Sequence, residues 1–317
     1  MELNSKIYLP GHTGLLGNAI LKKVNEDGYQ NVITKTHQNL ELTDKQSLDA
    51  FLEETKPEYI ILAAGKTGGI VANKTYPADF LHQNVSIQDN FFELSIKHNV
   101  KALVFYASSC VYPKMSPQPI REEYLFTGEI EATSEAYAAA KIAGMLACKA
   151  YNRQYQKTKF LCLLPNSMFG PYDNFDLEQS HVLSALIRKI HEAKVNKSET
   201  LTLWGSGKPE REFIFSEDVA DATLFAIKNA NKFENSHYNI GSGTSISIKE
   251  LANVISDIVD YKGKILWDES KPDGTPKKLL DSSRFNALGW KKVTSMDAGI
   301  QVTYQWFLKN YNNLIKK

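Results

Sequence analysis

The sequence predicts an α/β fold, a doubly wound parallel sheet followed by a smaller mixed lobe. Three observations predict it. A short apolar strand at residues 6–10 (KIYLP) runs directly into a loop with three evenly spaced glycines and then into a helix. Buried-type strands at 58–64, 101–107 and 159–164 alternate with helical stretches, the order of βαβ units. After about residue 165 the regular alternation gives way to short strands, turns and helices in mixed order. Residues 1–165 therefore read as a Rossmann-type nucleotide-binding domain, with segments at about 212–245 returning to it, and 166–317 mainly as a substrate lobe.

The glycine loop is Gly11-His12-Thr13-Gly14-Leu15-Leu16-Gly17, opening a helix that runs to about Asp27. Glycines at this spacing permit a tight turn and let the backbone approach a pyrophosphate seated on the helix N-terminus. The second strand, 31–34, ends in Lys35, Thr36 and His37, and the first acid beyond it is Glu41. A carboxylate at this point would take the ribose 2′-hydroxyl of NAD, whereas basic groups suit the 2′-phosphate of NADP. NADPH/NADP is the expected cofactor. The third strand, 58–64, ends in the small pair Ala63-Ala64, suited to a close nucleotide. Residues 68–77 read as a loop and 78–98 as an amphipathic helix with Phe80, Leu81, Val85, Phe91, Phe92 and Ile96.

The centre of the chain is residues 101–141. The strand at 101–107 ends in Ser108, Ser109 and Cys110, at the carboxyl end where parallel sheets bind ligands. Tyr137 and Lys141 follow on an Ala-rich helix over 136–147, four apart and so on one face. An ammonium beside a phenol is expected to lower its pKa and ease proton exchange near neutrality, while a serine hydroxyl holds a carbonyl oxygen. With a hydride carrier alongside, that set reduces ketones or oxidises alcohols.

Beyond the strand at 159–164 comes a turn-rich loop (PNSMFGP), then His181 opening a helix through 190, a strand at 201–204, and a Gly-Ser-Gly turn. A helix at 248–259, a strand at 265–268, a loop at 271–276 and a closing helix at 301–309 complete the chain. Tyr304, Trp306, Phe307 and Tyr311 read as packing.

Composition bounds the function. With 317 residues, 43% hydrophobic and 23% charged, the chain reads as an ordinary globular enzyme. A net charge of +1 leaves no polyanion footprint, which argues against nucleic acid. Three cysteines without metal spacing, Cys110, Cys148 and Cys162, suit a reduced, cytoplasmic setting, and no apolar run reaches membrane-span length. Cys148 and Cys162 read as core residues.

The segments GHTGLLGNAI, GGIVANKTYPADF, SSCVYPKMSPQPI, YAAAKIAG, GPYDNF, SHV, LWGSG, REF and SKPDGTPKKLLD together resemble the GDP-L-fucose synthases, GDP-4-keto-6-deoxymannose 3,5-epimerase/4-reductases of the extended short-chain dehydrogenase/reductases. The resemblance spans nearly the whole chain. It implies that Tyr137 protonates the C4 oxygen, Lys141 tunes it and holds the nicotinamide ribose, and Ser108 binds the 4-keto oxygen. Cys110 and His181 would be the base and acid of epimerisation at C3 and C5. Gly11, Thr13, Gly14, Leu15, Leu16, Gly17, Lys35, His37, Leu62, Ala63, Ala64, Tyr106, Lys141, Pro165, Ser167, Met168 and His181 would surround NADPH. Ser109, Lys189, Trp204, Arg211 and Asp273 would bind the GDP-sugar, and a homodimer through 78–98 and 136–155 would follow. Five positions depart from the family pattern: Thr13 replaces an arginine, Lys35 and His37 reduce a basic pair, Ser167 replaces an asparagine, and Lys189 an arginine. They leave open a C4-reductase of a related GDP-4-keto sugar, such as a heptose, with little epimerisation. Further rivals are an NAD-retaining 4-epimerase or 4,6-dehydratase and a nucleotide-sensing protein without turnover.

Overall fold

The computed structural model describes residues 1–271 and 273–315; Pro272, within the loop expected at 271–276, lies outside the described residues. In chain order the elements are β1 (Lys6–Tyr8), α1 (Leu15–Glu26), β2 (Asn31–Ile33), α2 (Lys45–Thr55), β3 (Tyr59–Leu62), α3 (Ile70–Thr75), α4 (Pro77–Lys97), β4 (Ala102–Tyr106), α5 (Glu135–Gln154), β5 (Lys159–Pro165) and β6 (Ser167–Phe169). There follow α6 (Val182–Val195), β7 (Thr200–Trp204), β8 (Glu210–Arg211), β9 (Phe213–Phe215), α7 (Ser216–Lys228), β10 (His237–Ile240), β11 (Ile246–Ser247), α8 (Ile248–Val259), β12 (Lys264–Asp268), β13 (Lys277–Lys278), α9 (Ser283–Asn286) and α10 (Met296–Leu314).

Six strands form one parallel sheet in the order β10-β5-β4-β3-β1-β2. The chain moves from β1 outward to β2, then returns to place β3 on β1's other side. The crevice at the carboxyl ends of β1 and β3 is therefore the topological switch point where such sheets bind ligands. Alternation along each strand feeds two cores. Val104 and Tyr106 of β4 face α1 and α7 with Ala19, Ile20, Val24, Val219 and Leu224. Leu103 and Phe105 face α2, α4 and α5 with Leu48, Phe51, Phe91, Phe92, Met145 and Cys148. Phe91, Phe92 and Phe105 are at most 1% exposed, and each such burial stabilises the fold by roughly 1.5–3 kcal/mol. A third core, under the lobe, joins α6, α8 and α10 through Ile187, Ile190, Leu251, Ile255 and Phe307. There β7 pairs with β12, and β8 lies between β11 and β13.

Three helices differ from the sequence reading. The stretch read as a loop over 68–77 holds α3, started at Gly69 and clamped by Asn73, whose Nδ2 donates to the Gly68 and Gly69 carbonyls at 2.9 and 3.0 Å. Helix α2 begins at Asp44, whose carboxylate accepts from the Gln46 and Ser47 backbone N–H groups. Helix α7 has Glu217 and Asp218 in its first turn and is buried along most of its length.

Candidate active site

The loop after β1 is held by contact with the end of β3. Gly11 has φ +86, and a Cβ there would lie 2.6 Å from the Ala63 carbonyl carbon and oxygen. A Cβ on Gly17 would lie 2.0 Å from the Gly11 carbonyl oxygen, so α1 starts hard against its own loop. Gly17 does not line the cleft: its glycine serves loop packing rather than ligand contact. Gly14 is the N-cap of α1, with no side-chain cap and no acid in the first turn. The free N–H groups and positive dipole end of this 12-residue helix therefore face the cleft unopposed, the arrangement that holds a pyrophosphate.

At the end of β2, Lys35 and His37 are exposed on the same cleft. Glu41 does not stand free for a ribose hydroxyl. One of its oxygens accepts from the Thr43 backbone N–H and hydroxyl at 2.9 and 2.8 Å, and the other lies 3.2 Å from His37 Nδ1. The ends of β2 and α1 thus present cations and N–H donors, which fit a cofactor carrying both a pyrophosphate and a 2′-phosphate.

The candidate reacting groups follow β4 and lie on α5. Ser108 leaves β4 in extended conformation and its Oγ accepts from the Cys110 backbone N–H at 3.4 Å. Tyr137 and Lys141 lie one turn apart on α5. The Lys141 ammonium is 5.8 Å from the Tyr137 ring centroid and 5.0 Å from that of Phe105. Lys141 is only 7% exposed, and burial lowers its pKa to about 8, partly offset by nearby Cys162. Burial pushes the Tyr137 phenol up, with Cys110 adding to the rise and a hydrogen bond to Ser108 opposing it. The lowered phenol expected from YxxxK is therefore corrected in direction: desolvation is the largest cause and raises it.

The first turn of α6 lines the same cleft. His181 is its N-cap residue and is exposed to the cleft. Farther out, Trp204 at the end of β7 is 71% exposed, with the ammonium groups of Lys189 and Lys271 at 5.5 and 5.8 Å from its ring. Burial lowers the Lys189 pKa. Arg211 on β8 is pushed down by burial as well, and its register partner on β13 is Lys278, a second cation on the cleft. Asp273 is less available than the sequence suggests: Ser206 donates to its two oxygens through N–H at 2.9 Å and hydroxyl at 2.6 Å, tying loop to loop.

The structure brings every sequence-predicted residue except Gly17 to one cleft of about 1790 Å³, including Thr13, Leu15, Leu16, Leu62, Ala63, Ala64, Tyr106, Pro165, Ser167, Met168 and Ser109, the last 6% exposed. Sequence reasoning missed Lys271, Lys278, Asp173 and Glu212. Glu212 is fully buried and accepts from Asn166 Nδ2 at 2.5 Å, Gly243 N at 2.7 Å and Leu280 N at 2.9 Å, anchoring the strand that carries Arg211. Only the charged residue between Arg211 and a strand of three apolar residues signalled it. Cys148 and Cys162 are core residues, 2% exposed each.

A nucleotide-binding sheet with a Ser, Tyr and Lys at its carboxyl edge, and Cys110 and His181 on the same cleft, defines a dinucleotide-dependent enzyme of ketone or alcohol chemistry. The chain belongs to the NAD dependent epimerase/dehydratase family, whose model matches residues 7–241. More particularly, it is similar to GDP-L-fucose synthase 1 of Arabidopsis thaliana, at 47% identity over 98% of this chain and 96% of that protein. Among solved structures it resembles a GDP-6-OMe-4-keto-L-xylo-heptose reductase from C. jejuni, with TM-score 0.92 and 36% identity over 98% of this chain and 99% of that one. It also resembles MlghC, a GDP-mannoheptose C4 reductase from Campylobacter jejuni with NADP bound, with TM-score 0.89 and 37% identity over 97% and 99%. Among the described residues no helix is long and apolar enough to cross a membrane.

Proposed function

We propose that this protein reduces the C4 ketone of a GDP-linked 4-keto-6-deoxy sugar with NADPH, after 3,5-epimerisation of the same sugar. The observation that carries the reading is the convergence of Ser108, Tyr137 and Lys141 with Cys110 and His181 on one cleft. The glycine loop and the α1 N-terminus would hold the pyrophosphate of NADPH, and Lys35 with His37 its 2′-phosphate. Bound there, NADPH supplies hydride. Arg211 and Lys278 would hold the substrate's diphosphate, and Trp204 would lie against the nucleotide.

Each chain residue then has a defined task. The C4 ketone acidifies the flanking C–H bonds, and the Cys110 thiol and His181 imidazole exchange protons at C3 and C5. Ser108 and Tyr137 donate hydrogen bonds to the C4 oxygen, and Tyr137 gives its proton to the forming alkoxide. The buried phenolate left behind is offset by the Lys141 ammonium; at about 6 Å and an effective dielectric near 20 that attraction is worth roughly 3 kcal/mol.

Incubation with GDP-4-keto-6-deoxymannose and NADPH in deuterated water tests the reading. The expected result is loss of the nicotinamide absorbance and deuterium at both C3 and C5. Reduction without deuterium would leave a 4-reductase and remove Cys110 and His181 as acid and base. No NADPH consumption, with reduction of GDP-4-keto-heptoses instead, would favour the second reading. That reading draws on the similarity to heptose C4 reductases at 36–37% identity, lower than the 47% to a fucose synthase. We assign the protein to the cytoplasm, acting without nucleic acid and as a homodimer. The outer faces of α4 and α5, where Leu81, Val85 and Leu146 are exposed, are the dimer surface, and sedimentation equilibrium checks it.

A further inference from the structure

Asp173 lies in the loop between β6 and α6, 9% exposed, on the cleft wall. A buried carboxylate is expensive unless hydrogen-bonded or paired. Two donors meet it: the Ser184 hydroxyl on Oδ2, and the Asn174 backbone N–H on Oδ1 at 2.8 Å. Ser184 sits three residues after His181, in the first turn of the helix that His181 caps. The carboxylate thus fastens the turn from which His181 projects. Burial raises the Asp173 pKa, and the Ser184 hydroxyl, neighbouring His181 and the Asn174 N–H oppose that rise. No side-chain cap bond ties the His181 ring to its own helix, so its place depends on this turn.

We propose that Asp173 is a positioning residue for His181, orienting the imidazole toward the sugar and balancing its positive charge while it exchanges a proton. The proposal rests on the epimerase–reductase reading and deepens it. It gives the two half-reactions different requirements. Proton exchange at C3 and C5 needs Asp173; proton delivery from Tyr137, which is carried on α5, does not. A carboxylate needed only for the stability of the fold as a whole would affect both alike.

The test uses the full chain and the near-isosteric Asp173→Asn variant. Deuterium uptake at C3 and C5 of GDP-4-keto-6-deoxymannose is followed by proton NMR with NADP+ present, so that no hydride is available and exchange alone is read. The second reading is oxidation of GDP-L-fucose: the C4–H bond breaks, its hydride reduces NADP+, and the hydroxyl proton passes to Tyr137 as phenolate, with no bond to C3–H or C5–H broken. Exchange is expected to fall about tenfold or more while the oxidation rate stays within about twofold of wild type. Ser184→Ala, which removes one donor and keeps the carboxylate, is expected to slow exchange a few-fold with the same spared oxidation, and it decides the matter if Asp173→Asn does not fold. Unchanged exchange in the folded variants, or parallel loss of both rates, overturns the proposal alone. Absence of exchange in the wild type overturns it together with the epimerase half of the parent reading.

Discussion

The Lys141 ammonium stands 5.8 Å from the centroid of the Tyr137 ring, one helical turn along α5, with Lys141 buried and Tyr137 half-buried on the cleft. Burial moves the two groups in opposite directions, the phenol up and the ammonium down, because it penalises the charged form of each. In the proposed reduction Tyr137 is the acid and Lys141 the cation beside it.

Tyr137→Phe is expected to slow reduction at least about 100-fold, the lower range for loss of a general acid. Deuterium uptake at C3 and C5, which the proposal assigns to Cys110 and His181, should persist. Loss of exchange together with reduction would mean that Tyr137 also serves the epimerisation.

Lys141 makes stability depend on pH. Its pKa falls from 10.5 to about 8 on folding. The unfolded chain binds more protons between those values, so stability rises with pH across that window and the penalty is fully present below it. The penalty is roughly 3 kcal/mol. Lys141→Met should therefore raise the Tm of the cofactor-free chain at pH 7, and that gain should shrink from pH 8 toward 10.5, while reduction is lost. A gain independent of pH would show that packing, not charge, was relieved.

Glycine substitutions separate folding from cofactor binding. Gly17→Ala places a methyl 2.0 Å from the Gly11 carbonyl and Gly11→Ala one 2.6 Å from Ala63, at a positive φ; both should lower Tm, by on the order of 1–3 kcal/mol each in stability. The nearest atom to a Cβ on Gly14 is 3.6 Å away. Gly14→Ala should leave Tm nearly unchanged and weaken NADPH binding, measured by fluorescence titration. Equal binding by that variant would move the pyrophosphate off the α1 terminus.

The proposed role of Lys35 is to favour the cofactor that carries a 2′-phosphate. Lys35→Ala should raise the KM for NADPH about tenfold, the scale of one lost charge-assisted hydrogen bond, with little change for NADH. His37→Ala should act in the same direction but less, because Glu41 already engages that ring at 3.2 Å. Equal loss for both cofactors would place the 2′-phosphate elsewhere.

Much of the sheet could be read directly. Short apolar runs such as LVFY and LCLL declare buried strands, and the glycine spacing declares the turn after β1. Helices α2 and α7 escaped because their signals were local or masked. Asp44 as an N-cap with Leu48, Phe51 and Leu52 behind it marks α2, whereas α7 is buried on most of its surface and loses the polar face that periodicity needs.

What the sequence by itself determined is the inventory and its order: strand, glycine loop, helix, the serine at the end of β4, Tyr137 and Lys141 one turn apart, and the basic end of β2. These follow from spacing, which local backbone geometry converts into place. The tertiary structure alone decided what depends on residues far apart in the chain. It set β13 beside β8, pairing Lys278 with Arg211, and it laid Lys271 over Trp204. It committed Asp273 to Ser206 and placed Asp173 under the turn of His181. It also set the direction in which Tyr137 and Lys141 titrate, because desolvation is a property of everything packed around a group and no spacing along the chain encodes it.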